Sequence, residues 1–361
     1  MDIGICVASK IDDIDYVVRA EELGYTHAWF ADSHMIWSDP YACLALAAQR
    51  TSTMRLGTGV AVAPTRPAPV TAASIATINQ IAPGRTFLGI GTGNTAMRIM
   101  GYKPMRIAEF DHYLKMLRPL LRGEETDFAW RDQVSPIRHI MADDGFVNFD
   151  SIPLYVSGFG PRSLGLAGKH GDGAVLSIPV QPGAMTRTWE AIEAGAADAG
   201  VSIDRDAFLT ATLTTIVILE PGEAVDSERV RRMCGAFAAA SLHYSYDQLR
   251  NYGRASAASR LPGWDDYVHQ MELIPAEVRH QYVHRGHNCW VMPEDAPYIS
   301  PELMEASCVI GTREQVIDRL STIASEGLDQ IMILPPFDPR YEVLEQVAEE
   351  VLPHVLSSST R

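Results

Sequence analysis

The stretch MRLGTGVAVAPTRPAPVTAASIATINQIAPGRTFLGIGTGN, residues 54–94, contains the unit that decides the fold. Its first part, MRLGTGVAVAP, is a continuous apolar run, which is typical of a strand buried on both faces in a parallel sheet. The middle part, PAPVTAASIATINQIAPG, predicts a helix that ends at Pro83 and Gly84. The last part, RTFLGIGTG, predicts a second buried strand, so the stretch predicts one strand–helix–strand unit of a parallel sheet.

The same alternation extends over most of the chain. Eight segments predict strands separated by helices, namely IGICVAS, HAWFAD, MRLGTGVAVAP, RTFLGIGTG, PLYVSGFG, DGAVLSI, FLTATLTTIVIL and DQIMILPP. The segment TDFAWRDQVSPIRHI, between Glu124 and Asp150, interrupts the pattern and predicts a small hairpin or an excursion. We therefore predict an α/β fold, a single (β/α)8 TIM barrel over residues 1–361; the alternative is a doubly wound sheet, which the count of eight disfavours.

The chain is longer than the roughly 250 residues of a typical barrel, so insertions at the C-terminal face have to account for the rest. The clearest candidate is the segment 243–301, which is rich in Tyr, His, Trp and Pro. We expect it to form a lid and substrate wall, or alternatively a surface for subunit contacts. Its histidines have spacings that fit no compact ligand motif, and we expect no metal site: they are His243, His269, His280, His284 and His287.

The composition excludes several classes of partner. Lys and Arg number 30 against 45 Asp and Glu, a formal net charge of -15, which disfavours nucleic acid and anionic membranes. The five cysteines are scattered without paired spacing, which indicates reduced thiols and a cytoplasmic protein. No segment has the features of a signal peptide or the roughly 18 consecutive apolar residues of a membrane span. We expect a soluble, cytoplasmic protein.

The alternating glycines of FLGIGTGNTAMRIMG, residues 87–101, raise the question of a dinucleotide site. A dinucleotide fingerprint follows the first strand of its domain and has a third glycine at a fixed distance. Here the glycines follow the fourth predicted strand, and their spacing lacks that third glycine. The segment therefore predicts a close approach of the backbone to some other bound group.

Chemistry in a TIM barrel collects where the strands end at the C-terminal face. The predicted strand ends carry few carboxylates, no ordered Ser, His and Asp set, and no group of metal ligands, because Asp32 and His34 come from a single loop. Such a polar but weakly reactive site is typical of a protein that holds a cofactor.

The run HAWFADSHM, followed by DPYACLALAAQRTSTMRLGTGVAVAPTRPAPVTAASIATINQIAPGRTFLGIGTGN, resembles the bacterial luciferase-like flavin oxidoreductases. It is especially similar to the branch around methylenetetrahydromethanopterin reductase and related deazaflavin-dependent enzymes. The later segments PLYVSGFGPRSLGLAGKHGDGAVLS and GTREQVIDRLSTIASEGLDQIMILPP match the same pattern. The resemblance covers the chain except about 220–300, and it implies a TIM barrel that binds a flavin.

The resemblance also implies roles for individual residues. The Gly59–Val60 bond matches a cis peptide behind the flavin ring, the GTGN loop lies beside the ring edge, and the SGFG turn before the next helix matches the phosphate site, where backbone N–H groups suit an anion. The cofactor-binding residues so implied are Ser33, Thr58, Gly59, Val60, Gly91, Thr92, Gly93, Asn94, Ser157, Gly158, Phe159, Gly160 and Ser177.

Two residues are the candidates for catalysis, His34 and Asp32. Some relatives have an Asp-His pair at the end of the second strand, with the histidine against the reactive face of the flavin. Here Ser33 takes the matching position and His34 is displaced by one residue. Because adjacent residues leaving a strand point in opposite directions, this displacement bears directly on whether His34 reaches the cofactor.

The resemblance implies an oxidoreductase for a small organic substrate, and the first expectation is a monooxygenase that uses reduced FMN and O2. Several deazaflavin enzymes have Glu where Asn94 stands, which favours FMN. The alternatives are hydride transfer with an 8-hydroxy-5-deazaflavin coenzyme and a flavin-binding barrel without turnover. The resemblance also implies a homodimer or higher homo-oligomer and, for the FMN chemistry, a separate flavin reductase as partner.

Overall fold

The computed structural model describes residues 1–253 and 257–355. In this part the strands are β1 Asp2–Val7, β2 His27–Phe30, β3 Arg55–Val62, β4 Thr86–Gly91, β5 Thr126–Trp130, β6 Gln133–Ile137, β7 Leu154–Gly158, β8 Gly173–Leu176, β9 Leu209–Thr214, β10 Ile216–Ile218, β11 Val309–Gly311 and β12 Gln330–Ile333. The helices are α1 Asp15–Glu22, α2 Pro40–Arg50, α3 Ala68–Ile81, α4 Asn94–Ile99, α5 Ile107–Leu120, α6 Pro161–His170, α7 Ala184–Asp198, α8 Glu228–Tyr252, α9 Trp264–Glu272, α10 Pro301–Ser307, α11 Arg313–Ser325, α12 Arg340–Glu350 and α13 Leu352–Val355.

Eight of the strands form a closed parallel barrel in the order β1-β12-β9-β8-β7-β4-β3-β2, with helices around it. Pairing of β1 with β12 closes the circle, with Ile3 opposite Ile331 and Ile5 opposite Ile333. The predicted TIM barrel is therefore confirmed, and the alternative of an open doubly wound sheet is wrong.

Three local differences separate the structure from the sequence prediction. FLTATLTTIVIL forms two strands, since β9 lies in the barrel whereas β10 pairs with β11 outside it. The segment between Glu124 and Asp150 was predicted to be a hairpin or an excursion, and it contains a hairpin, because β5 and β6 pair antiparallel. The helix-like segment after the alternating glycines is a separate short helix, α4, which begins directly after Gly93, whose φ of 79° turns the chain out of the barrel.

The N-terminal end of the barrel interior is filled by aromatic side chains. The Trp29 and Phe87 ring centroids lie 4.3 Å apart, and Tyr155 packs 5.4 Å from Phe87. The buried indole N–H of Trp29 donates to Gln330 Oε1 at 2.7 Å. A Cβ on Gly57 would lie 2.3 Å from the Phe87 ring, so only glycine lets this ring pack so close to β3. With this end filled, free space in the barrel lies at the C-terminal end of the strands.

The segment between β10 and β11 leaves the barrel and returns to it. It contains α8, α9, α10 and short 3-10 turns, and α8 already begins at Glu228 and runs past residue 243. The side chain of Ser227 caps α8 by accepting from the Val230 amide at 3.1 Å. Residues 254–256 of the predicted lid and 356–361 of the predicted domain lie outside the described residues, and the single-domain and lid assignments stay predictions.

Among the helices of the described residues, none has both the length and the apolar composition that a membrane span requires.

Candidate functional site

A cavity of about 190 Å³ opens at the C-terminal end of the barrel. Side chains or backbone from the end of every barrel strand line it, from Cys6 on β1 round to Met332 on β12. We call these strand-end residues the barrel wall. Trp37 also lines the cavity, and His287 and Asn288, which lie between α9 and α10, close the remaining side. We call His287 and Asn288 the insertion wall.

Most of the residues that the sequence singled out lie on the barrel wall. Those that line the cavity are Asp32, Ser33, Gly59, Val60, Gly91, Thr92, Gly93, Asn94, Ser157, Phe159 and Ser177. Four others do not line it: His34, Thr58, Gly158 and Gly160. The Thr58 hydroxyl is buried and donates to the Gly89 carbonyl at 2.6 Å, and a Cβ on Gly158 would meet the Leu164 amide at 2.8 Å, so both positions serve packing within the wall. The cofactor-binding role of these residues stays a prediction.

Asp32 is the carboxylate that lines the cavity, and its two oxygens have different surroundings. Oδ2 accepts from the Arg66 guanidinium and from the Val62 amide at 3.2 Å. Oδ1 is buried and has no hydrogen-bond partner among the described residues. Burial raises the pKa of Asp32, while the adjacent Arg66 acts in the opposite direction. Asp32 therefore anchors the loop through one oxygen and leaves the other available to accept a bond from a bound molecule.

Ser33 and His34 point in different directions, as expected for neighbours that leave a strand. Ser33 is buried and lines the cavity. The His34 side chain is 24% exposed and does not line the cavity; its Nδ1 lies 3.7 Å from Asp32 Oδ1 and its Nε2 lies 3.4 Å from the Met100 sulfur. The displacement by one residue thus removes His34 from the cavity surface. Ser33 takes the place at the cavity that the Asp-His pattern gives to histidine.

The bond between Gly59 and Val60 is cis, in agreement with the resemblance. The pairing of β3 with β4 shifts register here, between Thr58 and Ala61, which forms a bulge. A Cβ on Gly59 would lie 2.5 Å from the Trp29 Cβ, so glycine is needed for packing on the barrel side. On the other side, Gly59 and Val60 form part of the cavity surface.

Asn94, at the end of the GTGN loop, is linked through Arg98 to the helix α8. Its Oδ1 accepts from Arg98 Nε at 2.7 Å. Arg98 is buried, and its Nη1 lies 3.6 Å from a carboxylate oxygen of Asp247 on α8. A glutamate at position 94 would also be able to pair with Arg98, so the choice of Asn is not required by this contact alone.

The turn predicted to bind phosphate already has an internal partner. The amides of Phe159 and Gly160 both donate to the Ser163 hydroxyl, at 3.0 and 3.2 Å. The amide of Arg162 lies in the first turn of α6, where backbone N–H groups have no acceptor within the helix and are available to an anion. The Phe159 ring is 48% exposed and stacks on Tyr244 of α8 at 5.7 Å. The phosphate role of this turn stays a prediction.

Among the lining residues that were absent from the predicted set are Trp37, His287 and Asn288. The rings of Trp37 and His287 lie 5.7 Å apart, which closes the cavity between the β2 loop and the insertion. Trp37 follows Ser33 by four residues in the same loop, and this closeness in sequence is the signal that could have placed both residues at the cavity. His287 and Asn288 lie in a segment without regular periodicity, where the sequence offers no such signal.

The cavity fits a flat ring better than it fits a self-sufficient catalytic centre. Apolar side chains of Val60, Val62 and Leu213 line it beside Gly91 and Gly93, which have no side chain to fill the space. The unpartnered Asp32 Oδ1 is an acceptor for a polar edge of such a ring. Among the described lining residues Asp32 is the sole carboxylate, so the paired acids of general acid–base catalysis do not occur there.

A family model described as luciferase-like monooxygenase matches residues 10–330. The 5,10-methylenetetrahydromethanopterin reductase of Archaeoglobus fulgidus is 26% identical over 354 residues, which cover 95% of this chain and 96% of that protein. Among solved structures, the coenzyme F420 dependent tetrahydromethanopterin reductase of Methanopyrus kandleri has a TM-score of 0.67 at 21% identity, covering 98% of this chain and 99% of its own. The oxygenating constituent of 3,6-diketocamphane monooxygenase of Pseudomonas putida, in complex with FMN, has a TM-score of 0.61 at 17% identity, covering 99% of each chain. The barrel, its cavity and the extent of the family match together place this chain in the luciferase-like monooxygenase family of oxidoreductases.

Proposed function

We propose that this chain is an oxidoreductase that exchanges a hydride between a deazaflavin coenzyme of the F420 type and a small organic substrate. The observation that carries the proposal is the cavity itself, in which the one lining carboxylate is engaged with Arg66 and no second carboxylate is present among the described lining residues. Similarity over nearly the whole length to a methylenetetrahydromethanopterin reductase supports the deazaflavin. The deazaflavin is therefore preferred here to FMN, whereas Asn94 alone favoured FMN.

The coenzyme, when bound, supplies or accepts the hydride. The chain's own residues bind and orient it: the backbone of Gly91 and Gly93 allows close approach to the ring edge, and Val60 supports one face. Asp32 Oδ1 would accept a hydrogen bond from the bound molecule, and the Ser33 hydroxyl, which lies at the cavity, would donate one to it. Trp37 and the insertion wall exclude water from the reacting groups.

A second candidate is the monooxygenase that uses reduced FMN and O2. Asn94 in place of Glu favours it, and the P. putida oxygenating protein with FMN has the same fold. In this case the cavity excludes water from the reduced ring, and a separate flavin reductase supplies FMNH2. Both candidates require the same barrel wall, and they differ in whether the ring reacts with O2.

The test is to add F420, reduced F420, FMN and FMNH2 separately to the purified full-length protein and to measure each dissociation constant by fluorescence or calorimetry. We expect tight binding of the deazaflavin and weak binding of FMN. Tight binding of FMNH2 alone, with substrate-dependent O2 uptake, would overturn the first candidate in favour of the second. Binding without turnover of any substrate tried would favour a flavin-binding barrel, and no binding of either ring would sink both enzymatic candidates.

A variant pair locates the binding site. A Cβ on Gly91 would lie 3.1 Å from Val60 and 3.2 Å from Ser157, so Gly91→Val crowds the cavity. We expect Gly91→Val to weaken coenzyme binding by about tenfold or more, since overpacking costs about 1–3 kcal/mol. Ala129→Val, on the exposed hairpin strand β5, adds the same branched side chain away from the cavity and should leave the dissociation constant unchanged. Equal affinities for the two variants would show that the coenzyme binds elsewhere.

We also propose a homo-oligomer that pairs through α2 and α3. Leu46 on α2 and Val70 on α3 are exposed apolar side chains, 39% and 49% accessible. Light scattering coupled to gel filtration tests the oligomeric state, and Leu46→Glu should shift a dimer towards monomer if these helices pair.

A further inference from the structure

Three histidines of the segment between β10 and β11 converge beside the cavity. His243 lies on α8, whereas His284 and His287 lie in the turns between α9 and α10. They are 1%, 6% and 9% exposed, and one ring nitrogen of each lies within 4.8 Å of a ring nitrogen of both others.

Two carboxylates fix the ring orientations. His243 Nε2 lies 3.0 Å from Asp295 Oδ2, and His284 Nε2 lies 2.9 Å from Asp247 Oδ2. Because an ionised carboxylate only accepts, each Nε2 carries a hydrogen and donates it. In a neutral imidazole the other nitrogen, Nδ1, then carries a lone pair that points away from the carboxylate.

The Nδ1 atoms of His243, His284 and His287 are all buried, and none has a hydrogen-bond partner within residues 1–253 and 257–355. One buried polar atom without a partner is uncommon, and leaving it so costs about 1–3 kcal/mol. Three such atoms on three neighbouring rings require a common explanation. A shared electrophile, rather than separate hydrogen-bond donors, satisfies all three at once.

We propose that His243, His284 and His287 bind one divalent transition-metal ion of the zinc type through these ring nitrogens. Imidazole is a preferred ligand of Zn²⁺ and of its neighbours in the first transition row. Metal-binding histidines commonly donate their other N–H to a carboxylate, as His243 and His284 do here. The ion also compensates the buried charges of Asp247 and Asp295, of which only Asp247 has the Arg98 guanidinium nearby, at 3.6 Å.

A bound zinc ion would set the separation of the three ring nitrogens. Zinc–nitrogen bonds of about 2.0–2.1 Å place the nitrogens of a tetrahedral site roughly 3.3 Å apart. The three nitrogens lie within 4.8 Å of one another without an ion, so binding would draw the rings together by up to about 1.5 Å. Three protein ligands leave one of four tetrahedral positions for a water molecule or another small ligand.

The ion would fix the insertion wall in place. His287 lines the cavity and packs on Trp37, while His243 belongs to the helix α8 that also holds Asn94 through Arg98. Binding of one ion to His243 and His287 therefore ties the cavity's insertion wall to α8. The inference does not depend on which coenzyme the barrel wall binds.

The test uses full-length protein stripped with EDTA, dialysed, and given an excess of Zn²⁺ or Co²⁺ before gel filtration. We expect one zinc ion per chain by elemental analysis, and visible d–d absorption of a low-coordinate site with Co²⁺. His284→Asn should lower the zinc affinity by at least about 100-fold, and His280→Asn, the same change four residues earlier and outside the cluster, should leave it unchanged.

Asp295→Asn keeps all three ligands and is the gentler variant, for which we expect a loss of about 10- to 100-fold in affinity. Circular dichroism establishes that each variant is folded. The proposal is overturned if folded wild-type protein retains no zinc, or if His284→Asn and Asp295→Asn both retain as much zinc as wild type. Failure of coenzyme binding in a protein that still takes up one zinc would count against the proposed function alone.

Discussion

The barrel wall and the insertion wall enclose one cavity, but they are built in different ways. The barrel wall consists of residues at the ends of the barrel strands, and Arg66 holds one oxygen of its carboxylate Asp32 while the other oxygen has no partner among the described residues. The insertion wall is supported by histidines and carboxylates that lie up to 52 residues apart along the chain, with their Nδ1 atoms unpartnered. From this difference we infer separate roles for the two walls. The barrel wall keeps its form without an added ion and suits binding of the coenzyme. The insertion wall depends on the proposed ion and suits binding of the substrate.

The largest effect is expected from breaking the barrel wall at its buried ion pair. Asp32→Ala leaves the Val62 amide without its acceptor and Arg66 with only the half-exposed Asp39, and removal of one partner of a buried pair costs about 3–5 kcal/mol. Urea unfolding followed by tryptophan fluorescence measures this loss. Asp39→Ala removes the other carboxylate on Arg66, which is half-exposed, together with the N-cap of α2, and should cost about 1–2 kcal/mol. Equal losses for the two variants would mean that Asp32 is no special anchor.

Removal of the metal should affect the insertion wall without affecting the barrel wall. At a hundredfold excess over its dissociation constant, a ligand of the folded state stabilises by about 2.7 kcal/mol, so EDTA should lower the melting temperature of the zinc-loaded protein. We further expect EDTA to raise the KM for the substrate and to leave the coenzyme dissociation constant unchanged. The His284→Asn variant should melt at the lower temperature of the metal-free protein whether or not EDTA is present. A loss of coenzyme affinity on metal removal would contradict the division between the walls.

A smaller effect separates the two neighbours at the end of β2. Ser33→Ala should weaken coenzyme or substrate binding by about two- to tenfold, because one hydrogen bond contributes about 0.5–1.5 kcal/mol. His34→Ala should change both constants by less than about twofold, since His34 does not line the cavity. Titration calorimetry and steady-state kinetics on the two variants measure these changes. A larger effect of His34→Ala would return the histidine to the catalytic role that the resemblance implied.

The smallest effect concerns the ion pair between Glu223 and Arg229, where the insertion begins after β10. The hydrogen bond from Arg229 lowers the pKa of Glu223 from its ordinary 4.5 to about 2, and Arg229 also donates to the Ile218 carbonyl at 2.7 Å. Because the pKa is lowered on folding, the stabilisation is present above pH 4.5 and is lost as the pH falls from 4.5 towards 2. Glu223→Gln should lower the stability by less than about 1 kcal/mol at pH 7. The melting-temperature difference between Glu223→Gln and wild type should narrow as the pH falls below 4.5 and should close only near pH 2.

The sequence predicted the barrel wall well because its signals are local. Each buried strand is a short apolar run, and each strand end in a TIM barrel points to the same face, so residues such as Ser33, Gly91 and Ser157 come together once the strands are identified. The sequence did not report the direction in which each residue faces: Thr58 and Gly158 face the packed wall, and His34 turns away from the cavity.

The insertion wall was not predictable from spacing. His284 and His287 are three residues apart, but the third histidine and both carboxylates come from other turns of the insertion, so no compact ligand motif appears along the chain. We expected no metal site on that ground, and the present proposal is opposed to that expectation. A convergence of this kind depends on how α8 packs against the turns after α9, which hydrophobic periodicity does not report.

The sequence by itself determined the TIM barrel, the family and the polar strand ends, because the alternation of strands and helices and the order of the motifs are written in consecutive residues. Only the tertiary structure decided that Arg66 holds Asp32, that Ser33 rather than His34 faces the cavity, and that three distant histidines share one buried space. The physical reason is that hydrogen bonds and metal ligation depend on the distance and direction of individual atoms. Those are fixed by the packing of segments far apart in the chain.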